Sequence, residues 1–188
     1  MRKVLLGLVL LSAVGQTGGA EMVEPMCVTI VRIPIPWYAP KFAVKGKMKD
    51  SIAEYQAVPG LMAKYYTFGE DGTFGGIYLW RNKAAADAWF TPEWIAERSK
   101  KYNVSVSVPR YEVVSIIEGP PMLAVSTGNA YATLAPSKMG NSDSSVRTYI
   151  IRTDAKSLAQ VQLLNAEPQN SAGVETFHVP IILMNAGK

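Results

Sequence analysis

Pro59-Gly60-Leu61-Met62-Ala63-Lys64-Tyr65-Tyr66-Thr67-Phe68, the polar Gly69-Glu70-Asp71-Gly72, and then Gly75-Gly76-Ile77-Tyr78-Leu79-Trp80 form the stretch that decides the fold. Two runs rich in aromatic and apolar residues flank glycines and acids suited to a turn, which predicts a β-hairpin. The hairpin strands are apolar or aromatic at nearly every position instead of alternating, the pattern of strands covered on both faces. Helices can cover one face. The 188 residues show no second sheet in their pattern, so a partner subunit is expected to cover the other.

Working outward, Val28 to Ile35 predicts a strand that Pro34 and Pro36 end, followed by the aromatic loop Trp37-Tyr38. Lys41 to Ala57 reads as a helix with Val44, Met48, Ile52 and Tyr55 on one face. Asn82 is the expected cap of a second helix, interrupted at Thr91-Pro92, where a new start is signalled, and running to about Tyr102. Val104 to Ile117 predicts a last strand. The order is strand, helix, hairpin, helix, strand, the ferredoxin-like β-α-β-β-α-β arrangement. Residues 21–119 are expected to form this domain. Residues 120–145, rich in Ser, Gly, Asn, Ala and Pro, read as a linker or long loop. Residues 146–188 read as a small βαβ extension docked on the main domain, its helix capped by Asp154 and carrying Leu158, Val161 and Leu164.

Residues 1–20 carry a basic start at Arg2-Lys3, an apolar run from Val4 to Val14 and small residues at Gly18-Gly19-Ala20. They predict a secretory signal peptide cleaved near Ala20, hence a periplasmic or secreted protein with no membrane segment after cleavage; a retained anchor is the alternative. Removing Arg2 and Lys3 from the 19 basic residues leaves 17 against 15 acidic, a net charge of +2. So small a balance argues against nucleic-acid binding. Cys27, the only cysteine, cannot form an internal disulfide and is expected as a buried thiol.

The Pro-Gly-Leu turn at 59–61, Lys64 and Thr67, the Gly-Gly-Ile-Tyr-Leu block at 75–79 with Trp80 and Asn82-Lys83-Ala84, and the Tyr102-Asn103-Val104 joint leading to Tyr111-Glu112-Val113 resemble the YdhR family of monooxygenase-like proteins. The resemblance spans roughly residues 28–118. It implies a dimeric α/β barrel, in which two ferredoxin-like subunits close their sheets into one barrel, and a homodimer. It also implies a monooxygenase that works without a cofactor.

The residues themselves narrow the chemistry. His178, the only histidine, lies in the tail, which removes a Ser-His-Asp triad and a histidine-rich metal site from the main domain. The glycines of 69–76 do not open a helix, so they are hairpin glycines and not a phosphate cradle. An aromatic-lined cavity is left. Arg32, Trp37, Lys64, Tyr66, Tyr78, Trp80, Trp89 and Trp94 are the candidate substrate-binding residues, with Lys64 or Arg32 anchoring an anion; no metal ligand and no catalytic residue stands out. They suit a planar aromatic or quinol-like molecule, whose enolate or phenolate the protein would bind and desolvate. The competing readings are that these aromatics are core and interface packing, and that the protein is a non-catalytic binding module.

Overall fold

In the computed structural model, which describes residues 24–119, 130–137, 144–169 and 171–185, the hairpin forms as β2 (Leu61–Gly69) and β3 (Thr73–Trp80), paired antiparallel with Lys64 opposite Tyr78. β1 (Cys27–Pro34) pairs with β3 on one side and with β4 (Arg110–Glu118) on the other. Between them run α1 (Lys41–Asp50), α2 (Ile52–Gln56), α3 (Lys83–Trp89) and α4 (Pro92–Tyr102). The caps follow the residue chemistry. Asn82 accepts from the Ala85 amide at 2.9 Å and Thr91 from the Trp94 amide at 3.2 Å, with Pro92 at the first position of α4. Asn103 ends α4 in the left-handed region at φ 53°.

The second half overturns the expected fold. Four more strands, β5 (Ala130–Pro136), β6 (Ser145–Arg152), β7 (Leu158–Leu164) and β8 (Glu175–Met184), complete a closed barrel of order β1-β3-β2-β8-β5-β7-β6-β4 with all pairs antiparallel. The protein is therefore an eight-stranded antiparallel β-barrel with few helices. It is not a ferredoxin-like α/β barrel closed by two subunits. There is no βαβ extension either: residues expected as a helix form β7, and β5 lies inside the segment expected as linker. Asp154 does not cap a helix but accepts from the Lys156 and Ser157 amides at 2.8 and 2.9 Å, a tight turn into β7.

The winding repeats although the sequence does not. The first four strands lie in the order 4-1-3-2 and the second four in the order 8-5-7-6. Among the described residues, helices make the crossovers of the first half only. β2 and β4, which would be free edges of a four-stranded layer, pair instead with β8 and β6. Closure of this kind removes exposed ladder groups. The cover that the greasy hairpin requires thus comes from its own chain, and the reason for expecting a twin subunit falls away.

Two apolar clusters result. Inside the barrel, Val28, Ile30, Tyr65, Ile77, Leu79, Tyr149, Val161, Leu163 and Phe177 pack together. Eight strands leave an interior just wide enough for side chains to fill, and here they fill it. The Tyr65 and Tyr149 hydroxyls meet in this interior at 2.8 Å. Outside, the other faces of β1, β2 and β3 carry Val31, Tyr66, Phe68, Tyr78 and Trp80 against Val44, Met48 and Tyr55 of α1 and α2 and Phe90 beyond α3. No helix among the described residues is long and apolar enough to cross a membrane. The proposed leader at 1–20 lies outside the described residues.

Candidate functional site

The helices do not seal completely onto the sheet. Between α1, α2 and α4 and the outer face of β1, β2 and β3 lies a cavity of about 270 Å³, just below the usual range of small-molecule sites. Strand alternation puts Lys64, Tyr66 and Tyr78 on the face that looks into it. Tyr66 pairs with Gly76 across the hairpin. A Cβ on Gly76 would stand 3.2 Å from the Tyr78 ring, so the glycine leaves that ring its place.

Lys64 is the unusual group. It is only 3% exposed, and its Nζ lies 3.0 Å from the Tyr55 ring centroid, 3.9 Å from Tyr66 and 4.9 Å from Tyr78. Among the described residues it makes no ion pair or hydrogen bond, while lining the cavity. Burial pushes its amine well below the usual 10.5, and the charge of Glu54 only partly offsets this. The three rings also favour the cation, by on the order of 2 kcal/mol when desolvated. Burying an unpaired ammonium costs several kcal/mol, so burial outweighs the rings and favours the uncharged amine.

The surrounding phenols are held protonated. Burial raises Tyr78 well above its normal value, with the neighbouring Tyr55 adding to the effect. Tyr55 is raised chiefly by burial. Tyr66 is pushed up to about 12 by burial, against the lowering effect of its hydrogen bond with Ser51 at 3.0 Å. The site therefore offers a buried amine beside three neutral hydroxyl-bearing rings. Lys47, Arg98 and Lys101 also line it, with one carboxylate, Glu54; the lining itself is cationic, while Lys47 and Arg98 pair with Asp50 and Glu97 outside it at 3.5 and 3.3 Å. Among the described residues, no three His, Cys, Asp or Glu side chains gather as a metal set would.

Of the sequence candidates, Lys64, Tyr66, Tyr78 and Trp94 come together here. The other four do not line the cavity. Arg32 faces the other way, where its guanidinium binds Glu175 of β8 at 2.5 and 2.6 Å and lies over the Phe177 ring. Trp37 is 96% exposed. Trp80 is fully buried and donates to the Thr29 hydroxyl at 3.0 Å. Trp89 packs on Tyr55 at 5.4 Å, with its indole N–H buried and without a hydrogen-bond acceptor. Sequence reasoning missed Ser51, Glu54, Tyr55 and Arg98. Tyr55 was visible as the last member of a helical apolar stripe, but nothing in that stripe distinguishes a core tyrosine from one that closes over a lysine.

Two solved structures share the fold. A protein of Fusobacterium nucleatum subsp. nucleatum, described as a "Putative monooxygenase", superposes with a TM-score of 0.61 over 88% of this chain and 97% of its own, at 9% identity. An anthrone oxidase-like protein superposes with a TM-score of 0.52 over 87% of this chain and 94% of its own, at 10% identity. No protein-family model matches the chain, and no curated protein does; membership of the YdhR family is not established by these likenesses.

Proposed function

We propose that the protein is a monooxygenase-like enzyme that oxidises a small planar phenol, quinol or anthrone-like molecule in the cavity between the helices and the barrel wall, using no bound cofactor. The observation that carries this reading is the buried, unpaired amine of Lys64 inside a cage of tyrosines. The names of the two fold neighbours support the reaction class, although their likeness in fold does not itself assign an activity.

The chemistry follows from the charge states. A neutral Lys64 takes a proton from an acidic C–H or O–H of the substrate, leaving an enolate or phenolate. The new ammonium then sits against three π faces and beside the anion it created, so the cage stabilises the product of proton transfer more than the reactants. An electron-rich anion of this kind transfers an electron to O₂, and recombination gives a substrate hydroperoxide. Loss of water converts an activated CH₂ into a carbonyl, so that R₂CH₂ and O₂ yield R₂C=O and H₂O. Tyr66 and Tyr78, held neutral, would turn their hydroxyl protons from Ser51 and Tyr55 to the developing oxyanion.

An oxygen electrode with purified protein and a panel of anthrone, hydroquinone and catechol tests the reading. Turnover of at least one substrate, reduced about 10²-fold or more in Lys64→Met as for a lost general base, is the expected result. No oxygen uptake across the panel would reject it.

A further inference from the structure

A second kind of chemistry is open to the same amine. A neutral lysine with no ion pair is a nucleophile, and desolvation in an apolar pocket is one established way of activating it. Lys64 meets both geometric requirements: it is 3% exposed and it lines the partly open cavity. Its neighbours include groups able to carry protons, namely Glu54 and the Tyr66 hydroxyl, the latter already tied to Ser51 at 3.0 Å. Arg98, over the Trp94 ring at 5.3 Å, Lys101 and Lys47 are the basic groups that line the cavity beside Lys64, with Arg98 and Lys47 also pairing with Glu97 and Asp50 at 3.3 and 3.5 Å.

From this juxtaposition we infer that Lys64 is a Schiff-base lysine, condensing with small aromatic aldehydes that carry an anionic group. The aldehyde carbon is attacked by the amine and a carbinolamine forms. Its hydroxyl leaves as water after accepting a proton relayed through the Tyr66 hydroxyl, giving the iminium Lys–NH⁺=CH–Ar and one H₂O, and the iminium N–H returns that proton when the neutral imine forms. No oxidant or reductant enters this step. The rings that cage the ammonium would then hold the iminium and the aryl group, and Arg98, Lys47 and Lys101 would meet the carboxylate. The inference shares its pocket with the oxygenase reading but is independent of oxygen.

The probe is 4-formylbenzoate with sodium cyanoborohydride, which delivers hydride to the imine carbon and leaves a stable secondary amine. The full-length protein is treated near neutral pH, and the modified lysine is located by peptide mass spectrometry. The expected result is one carboxybenzyl group per chain on Lys64, at a rate at least tenfold above that of exposed lysines such as Lys49 and Lys100. Neutral benzaldehyde should label the same residue more slowly, because the cationic lining no longer helps. Labelling spread over surface lysines with Lys64 unmodified would overturn the inference, and because the mapping uses the unmutated protein, a poorly folding variant cannot obscure it. Oxygen uptake measured on the same preparation separates the two readings: trapping can fail while turnover persists, and the reverse.

Discussion

Replacing Lys64 by Met tests the physical state of the site without any substrate. Met keeps most of the length and volume of the lysine and removes its charge. In the unfolded chain the amine holds its proton up to about 10.5, whereas in the fold burial releases it at a lower pH. Between those two values unfolding takes up a proton, so stability rises with pH in that window. Below the lower value the full penalty is present and constant. The limiting slope for one group is about 1.4 kcal/mol per pH unit, so wild-type protein should gain up to about 2.7 kcal/mol between pH 7 and 9. For a chain of this size that is a rise in Tm of about 5–10 °C. Lys64→Met should lack this component and be as stable as wild type at pH 7, or more so. Urea unfolding of both proteins at pH 7, 8 and 9 isolates the difference, since the tyrosines and other groups titrate in both. Parallel curves would mean that the amine keeps its proton in the fold, and the proton-transfer and Schiff-base schemes would both lose their basis.

Other expectations follow from single contacts. Tyr65→Phe should destabilise by about 1–2 kcal/mol by leaving the Tyr149 hydroxyl short of a partner inside the barrel; chemical denaturation of the single and double Phe variants checks this, the double being milder than additive. Gly75→Ala should cost about 3 kcal/mol, the upper end for overpacking, because its Cβ would fall 2.0 Å from the Val31 carbonyl oxygen; a Tm close to wild type would contradict the β1–β3 spacing. Arg32→Met should lose only about 0.5–1 kcal/mol and leave oxygen uptake unchanged, since its partner is Glu175 on the barrel side and not the cavity. Trp37→Ala, at a side chain 96% exposed, should change neither stability nor turnover.

How far the sequence reaches is best seen strand by strand. The hairpin was legible because unbroken apolar runs and a Gly-acid-acid-Gly turn leave little choice. Asn82 and Thr91-Pro92 were legible because capping is local chemistry. β7 was not: in Leu158-Ala159-Gln160-Val161-Gln162-Leu163-Leu164, Leu158, Val161 and Leu164 satisfy a helical spacing, while Ala159, Val161 and Leu163 satisfy a strand period and turn inward. The burial of Gln160 and Gln162 on the other face, at 3% and 4% exposure, is a tertiary fact that no local pattern reports. Val104 to Val108 shows the converse, with Val106 and Val108 buried against the helical layer although the strand begins only at Arg110. The two-sided greasiness of the hairpin did require a cover. Deciding between a second copy and the chain's own remote strands depends on long-range pairing, which composition does not encode. The site was half legible: lysine and aromatic residues at 64, 66 and 78 share a strand face by alternation, whereas the contribution of Tyr55 depends on how α2 is laid across them.

The most direct measurement is a structure determined from crystals grown without oxygen in the presence of anthrone. The rings should lie between Tyr66, Tyr78 and Trp94, with the Lys64 Nζ about 3–3.5 Å from the acidic CH₂ carbon. Anthrone bound elsewhere, or a cavity that stays closed to it while the protein still turns it over, would place the chemistry outside the tyrosine cage.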